Sequence, residues 1–194
     1  MKLSLVLDTS HINVDLKKLK VNLDKAKNIE HRWIPSQQWH IPLCSFGEVS
    51  NEDLFEIEKH LLKILHHHSA FELKLEGVWA YPSQDHGRLL WIGVQNSKEL
   101  RSLQEELFQE FQKFIPEEVL ENTFRPYLPI VRFRNYKEVS DLLSPHKNAH
   151  FGKFAICKLI IYEMTSQGAF PTYQKVSEFL MSDEKSDHEN QISC

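Results

Sequence analysis

The run Leu3-Ser4-Leu5-Val6-Leu7 reads as a β-strand, and from Val14 through Leu19 to Lys27 apolar residues recur at helical spacing with lysines opposite. Trp39 to Phe46 alternates as a strand does, and Ser50-Asn51-Glu52-Asp53 supplies capping chemistry for a helix from Glu52 to Leu65. The order strand, helix is thereby repeated. Phe71 to Trp79 alternates strictly, a polar loop with Pro82 and Gly87 follows, and Arg88 to Val94 predicts a second strand antiparallel to the first. Ser97 caps a helix to Phe114, in which Leu100, Leu103, Leu107, Phe111 and Phe114 recur at three and four, and Pro116 ends it.

The second half is less regular. Phe124 to Phe133 is a strand with two prolines, and Tyr136 to Leu143 predicts a short helix before Pro145. Ala149 to Met164 and Tyr173 to Met181 read as two final strands. Residues 182–194 are polar, lack periodicity and are expected to form a frayed tail, leaving one unit over 1–181. The two halves share an order of elements and one local motif each, without a repeat strong enough to prove duplication.

At 194 residues the chain suits one substantial core or two small lobes sharing an interface. Hydrophobic residues at 41% and charged ones at 26% are near globular averages, which argues against wholesale disorder or a fibre. Apolar runs such as Phe154 to Ile161 fall short of the roughly 20 residues of a membrane span, so no membrane partner is expected. The start has an apolar run shorter than a signal-peptide core, and Cys44, Cys157 and Cys194 spell neither a disulfide framework nor a paired-cysteine metal signature; a cytoplasmic location is expected. With 23 basic and 27 acidic residues the net charge is −4, so any phosphate site must be a local cleft rather than a global field. A monomer is the simplest expectation.

Three stretches carry a family resemblance. Arg32 to Val49 contains His40-Ile41-Pro42; Phe71 to Val78 and Gly87 to Val94 form the hairpin, followed by Leu100 to Gln104; Phe124 to Arg132 contains Tyr127-Leu128-Pro129 and then Arg132. Together they resemble the two-histidine phosphoesterase superfamily, the 2',5'-RNA ligase-like group, over Leu3 to about Leu180. The resemblance implies an α+β fold: a bilobal, pseudo-two-fold pair of antiparallel sheets with helices outside and a central cleft. It also implies action on a phosphodiester, often a 2',3'-cyclic phosphate or a 2',5' linkage, with an RNA end or nucleotide as partner and neither a metal nor another cofactor. Each lobe of that family carries a His-x-Thr. Here the threonine positions are Pro42 and Pro129, and the second histidine position is Tyr127.

Strand geometry explains why those spacings matter. Residues two apart share a face, so His40 and Pro42 look into one space while Ile41 and Leu43 pack the other way. Tyr127, Pro129 and Val131 likewise share a face, with Leu128, Ile130 and Arg132 opposite unless a bulge intervenes. In an intact pair one imidazole takes a proton, the other gives one, and the threonine hydroxyls hold phosphate oxygens. Proline provides neither a hydroxyl nor a backbone N–H. A phenol titrating near ~10 is a poor general base at neutral pH, so Tyr127 retains only an acid role or a stacking one.

The expected catalytic positions are therefore His40 and Tyr127, and the expected substrate-binding ones Arg132, Pro42, Pro129 and, more weakly, Arg88. Each has a plainer alternative: a strand histidine, a core aromatic, a surface charge. Arg32 beside Trp33 is a possible rim contact, and strand tryptophans (Trp33, Trp39, Trp79, Trp91) are more often core than base platforms. His66-His67-His68, at one helix end, point in three directions and cannot face one ion, and Cys44 reads as a small buried hydrophobe. Three functions stay open: a cyclic phosphodiesterase or ligase with impaired chemistry, a noncatalytic nucleotide, RNA-end or protein-binding module, and a diverged enzyme using His40 with Tyr127.

Overall fold

Among the residues described by a computed structural model (1–26, 29–95, 97–120, 124–166 and 171–182), the chain order is β1 (Lys2–Asp8), α1 (Lys17–Lys25), β2 (His31–Trp33), β3 (His40–Glu48), α2 (Asn51–Leu65), β4 (Phe71–Tyr81), β5 (Gly87–Val94), α3 (Lys98–Phe111), α4 (Glu117–Leu120), β6 (Tyr127–Lys137), α5 (Ser140–Leu143), β7 (His150–Ile156), β8 (Lys158–Ser166) and β9 (Thr172–Leu180). The two long amphipathic helices start where serine can cap them. Ser50 Oγ accepts from the Asp53 N–H at 3.1 Å while the Asp53 carboxylate accepts from the Ser50 N–H, a reciprocal capping box. Ser97 Oγ accepts from the Leu100 N–H at 3.1 Å.

The strands sort into two antiparallel sheets, β3-β1-β8-β9 and β2-β6-β5-β4-β7. Consecutive strands β2 and β3 lie in different sheets, and so do β7 and β8. The chain thus crosses between lobes at both places, and the first crossing holds Arg32 and His40 close together. The result is the α+β, two-lobed arrangement expected. One hydrophobic cluster runs through both lobes, with Phe111 and Phe133 among its largest fully buried side chains. Phe111 of α3 meets Phe46 of β3 edge-on, ring centres 5.9 Å apart, which ties a helix that follows the second sheet to a strand of the first.

Several expectations need correction. Ala149 to Met164 is two strands: β7 ends at Ile156, Cys157 breaks the run, and β8 joins the other sheet. Both halves are apolar enough to satisfy strand periodicity, so hydropathy cannot mark the crossing. Tyr136 and Lys137 prolong β6, and only Ser140–Leu143 is helical. The three-residue β2 is too short to announce itself by periodicity, and α1 starts three residues after Val14, while its proposed end at Lys27 lies outside the described residues. Ser182, expected in the tail, accepts a hydrogen bond from the Ala70 N–H at 2.9 Å; residues 183–194 lie outside the described residues.

Candidate functional site

Each motif strand carries a one-residue bulge just after its proline. On β3, Val6 faces Pro42 and Leu5 faces Cys44, so Leu43 is the extra residue. On β6, Trp91 faces Pro129 and Leu90 faces Val131, so Ile130 is extra. Proline has no N–H for the ladder, and bulges are among the places where a sheet tolerates it. The consequence on β6 is a reversal of alternation. Leu128 turns to the core before the bulge, Val131 and Phe133 after it, and Arg132 comes round to the side of Pro129. Strict alternation put Arg132 opposite Pro129; the bulge at Ile130 corrects that.

A pocket between the lobes collects side chains from the β2–β3 crossing, from β6 and from the start of β9. It is lined by Arg32, Trp33, Ile34, Pro35 and Gln38 of the β2–β3 segment, His40 of β3, Pro129 and Arg132 of β6, and Pro171, Thr172 and Tyr173 at the start of β9. Arg32 and Arg132 are direct cross-strand partners on β2 and β6. Like charges placed opposite each other cost stability in a sheet, and two guanidiniums opening on one pocket favour an anion there.

His40 is 7% exposed. Its Nδ1 lies 2.8 Å from the Gln38 carbonyl oxygen. A carbonyl can only accept, so Nδ1 carries the proton and, in the neutral ring, Nε2 keeps its lone pair. Burial pushes the imidazole pKa down; the Gln38 hydrogen bond opposes this, Arg132 lowers it further and Asp8 raises it. The ring is flanked by Tyr162 and Tyr173, with centres at 5.4 and 5.2 Å. A neutral, oriented imidazole beside two arginines can accept a proton near a bound anion.

Tyr127 is half-buried and does not line this pocket. It packs edge-to-face on Trp91 at 5.8 Å, and burial raises its phenol pKa, with Arg132 opposing and Tyr173 and Tyr81 adding to the rise. Its hydroxyl stays protonated at neutral pH. Pro42 is half-buried opposite Val6 and also stands outside the pocket lining. Arg88 is placed elsewhere: its guanidinium sits 5.0 Å from the centre of the Tyr136 ring, toward the far end of the β5–β6 pair. Of the six expected positions the pocket therefore gathers His40, Pro129 and Arg132.

Sequence reasoning missed Gln38, Tyr162 and Tyr173, and gave Arg32 too little weight. The Gln38 role is a carbonyl contact that any residue type supplies. Tyr162 and Tyr173 reach His40 because β8 lies beside β1 and β9 beside β8, a pairing of distant segments that no local pattern announces. His66 to His68 follow the end of α2, where His68 bonds Glu106 at 2.8 Å, and Cys44 is buried and free. Among the described residues no helix is long and apolar enough to cross a membrane.

Comparison with known proteins agrees with this architecture. Residues 10–167 match the model of the 2'-5' RNA ligase superfamily. An RNA 2',3'-cyclic phosphodiesterase of Aquifex aeolicus strain VF5 is 27% identical over 175 residues, 88% of this chain and 91% of that protein. Among solved structures, TT0787 of Thermus thermophilus is similar with a TM-score of 0.68 at 16% identity, covering 95% of this chain and 100% of that one. E. coli LigT complexed with 3'-AMP is similar with a TM-score of 0.62 at 16% identity, covering 93% of this chain and 97% of LigT. These structural likenesses concern the fold.

Proposed function

Given that the chain belongs to the 2'-5' RNA ligase superfamily, with its match spanning residues 10–167, we propose that the pocket between its lobes binds a phosphodiester of an RNA end or nucleotide, with chemistry impaired relative to a two-histidine site. The observation that carries this reading is the convergence of a buried neutral His40 with Arg132 and Arg32 on one pocket. The relatives named RNA 2',3'-cyclic phosphodiesterase and the 3'-AMP complex of LigT support a phosphate ester as the ligand class.

Binding and orientation fall to the arginines, whose planar forks match phosphate oxygens. His40 Nε2 accepts a proton from the attacking hydroxyl or water. The leaving oxygen then needs an acid, and the position where the family places a second imidazole holds Tyr127, whose raised pKa makes its proton reluctant to leave. Pro42 and Pro129 offer phosphate no donors. Each lost proton-transfer group costs about 10²–10⁴ in rate, so turnover falls well below that of a paired site.

The second reading, a noncatalytic module using the same cleft, draws on Pro42, Pro129 and Tyr127. One assay separates the two. Purified protein is incubated, metal-free, with a 2',3'-cyclic nucleotide and a 2',5'-linked dinucleotide, alongside His40→Ala and Arg132→Ala. Saturable binding weakened by Arg132→Ala, with slow hydrolysis abolished by His40→Ala, is expected. Binding without hydrolysis leaves the noncatalytic module; the absence of both refutes the phosphoester reading. Tyr127→His combined with Pro42→Thr and Pro129→Thr is expected to raise turnover by at least about 10² if the cleft is preserved.

A further inference from the structure

Trp79, Trp91 and Pro129 are consecutive cross-strand partners on β4, β5 and β6, so all three stand in one row on the same face of the second sheet. Pro129 lines the pocket. With strands 4.7–4.9 Å apart, the row carries two indoles away from the pocket over roughly 10 Å. The Trp79 and Trp91 rings stack with centres 6.3 Å apart and planes at 29°, and Trp91 meets Tyr127 edge-on. This face is not core: Trp79 is 40% exposed and Trp91 half-buried, whereas Trp39 is fully packed.

Local backbone geometry seats Trp79 where it is. Gly77, at φ +70°, is the extra residue of a bulge between Glu76 and Val78, and that bulge brings Trp79 into line with Trp91. A Cβ on Gly77 would come within 2.8 Å of Trp79 Nε1, and one on Gly93 within 3.4 Å, so the indole lies across two positions that have no side chain. Beyond it is a hollow lined by Trp79 together with Glu76, Lys147, Asn148 and His150. Glu76 is paired with Lys74 at 3.3 Å and His150 at 3.7 Å.

We propose that Trp91 and Trp79 form a stacking track for the bases that precede the nucleotide whose reacting phosphate occupies the His40–Arg132 pocket. The inference rests on the phosphoester reading of the pocket and deepens it by assigning two base-binding side chains beside it. The exposed Trp79 ring and the half-buried Trp91 ring, inclined at 29° and at strand spacing, suit successive bases of any identity, and the neighbouring polar hollow suits the connecting backbone. The track predicts affinity that grows with strand length and tolerates sequence.

The test compares adenosine 2',3'-cyclic phosphate with a triadenylate ending in a 2',3'-cyclic phosphate, both titrated into the protein, Trp79→Ala, Trp79→Phe and Arg132→Ala. The trinucleotide is expected to bind the unaltered protein about ten-fold or more tighter than the mononucleotide. Trp79→Ala removes most of that advantage, Trp79→Phe keeps part of it, and the mononucleotide, too short to reach residue 79, binds both proteins alike. Equal affinities for the two ligands, or a trinucleotide affinity indifferent to Trp79→Ala, overturns the track while leaving Arg132-dependent mononucleotide binding intact. Trinucleotide binding that depends on Trp79 but ignores Arg132→Ala upholds the track and refutes the pocket. An unchanged circular-dichroism melt of Trp79→Ala, expected for a partly exposed side chain, excludes misfolding as the cause.

Discussion

Arg132→Ala has two consequences that can be worked out from the pocket. The first is affinity. Hydrogen bonds to charged groups contribute about 1.5–3 kcal/mol, so removing the guanidinium from a phosphate should weaken binding by about ten- to a hundred-fold. The second concerns His40, whose pKa Arg132 helps to hold down. Without that charge the imidazole pKa rises, since Arg132 no longer adds to the lowering by burial. Stability should hold or improve slightly, since Arg32 loses a like-charged cross-strand neighbour. Calorimetric titration with a 2',3'-cyclic nucleotide gives the affinity, and an NMR pH titration of the His40 ring gives the pKa. Arg132→Lys should keep the low pKa while recovering only part of the affinity, because an ammonium lacks the planar fork. Affinity within two-fold of the unaltered protein, or a His40 pKa that does not move upward, would refute the reasoning.

Two further outcomes concern stability. The folded-state pKa of His40 lies below its unfolded value of about 6.5, so between the two the unfolded chain binds the extra proton. The stabilisation is complete above about pH 6.5 and is lost as pH falls through the folded pKa; urea denaturation at pH 7.5 and pH 5 should show a loss that His40→Gln lacks. Gly77→Ala places a Cβ 2.6 Å from the Lys147 carbonyl oxygen at a positive φ, and should lower stability by about 1–3 kcal/mol, read from the same denaturation curves; a change below about 0.5 kcal/mol contradicts the bulge's strain.

Much of the fold is legible because single elements carry their own signals. The Ser50 and Ser97 caps, the regularly spaced leucines of α3 and the alternation of Phe71 to Trp79 each specify an element without help from the rest. What depends on more than one segment is not legible. Ile156-Cys157-Lys158 holds no turn residue, yet the chain changes sheets there. The bulge at Ile130 moves Arg132 from one face to the other through a single extra residue, and the prolines beside both bulges hint at them only once the register is known. Motif spacing is enough to find His40, Pro129 and Arg132, whereas Tyr162 and Tyr173 owe their place to strand order alone. Arg88, the weaker of the substrate-binding expectations, stands against Tyr136 instead. The preference for core tryptophans holds for Trp39 and fails for Trp79, because the bulge at Gly77 turns that face outward.

The most direct measurement is a crystal structure of the protein grown with a 2',3'-cyclic nucleotide. The phosphate should lie between the lobes, within hydrogen-bond reach of the Arg132 guanidinium and of His40 Nε2, with the Nδ1 contact to Gln38 retained. A nucleotide bound on any other surface, or a pocket left unaltered at saturating ligand, would contradict the account.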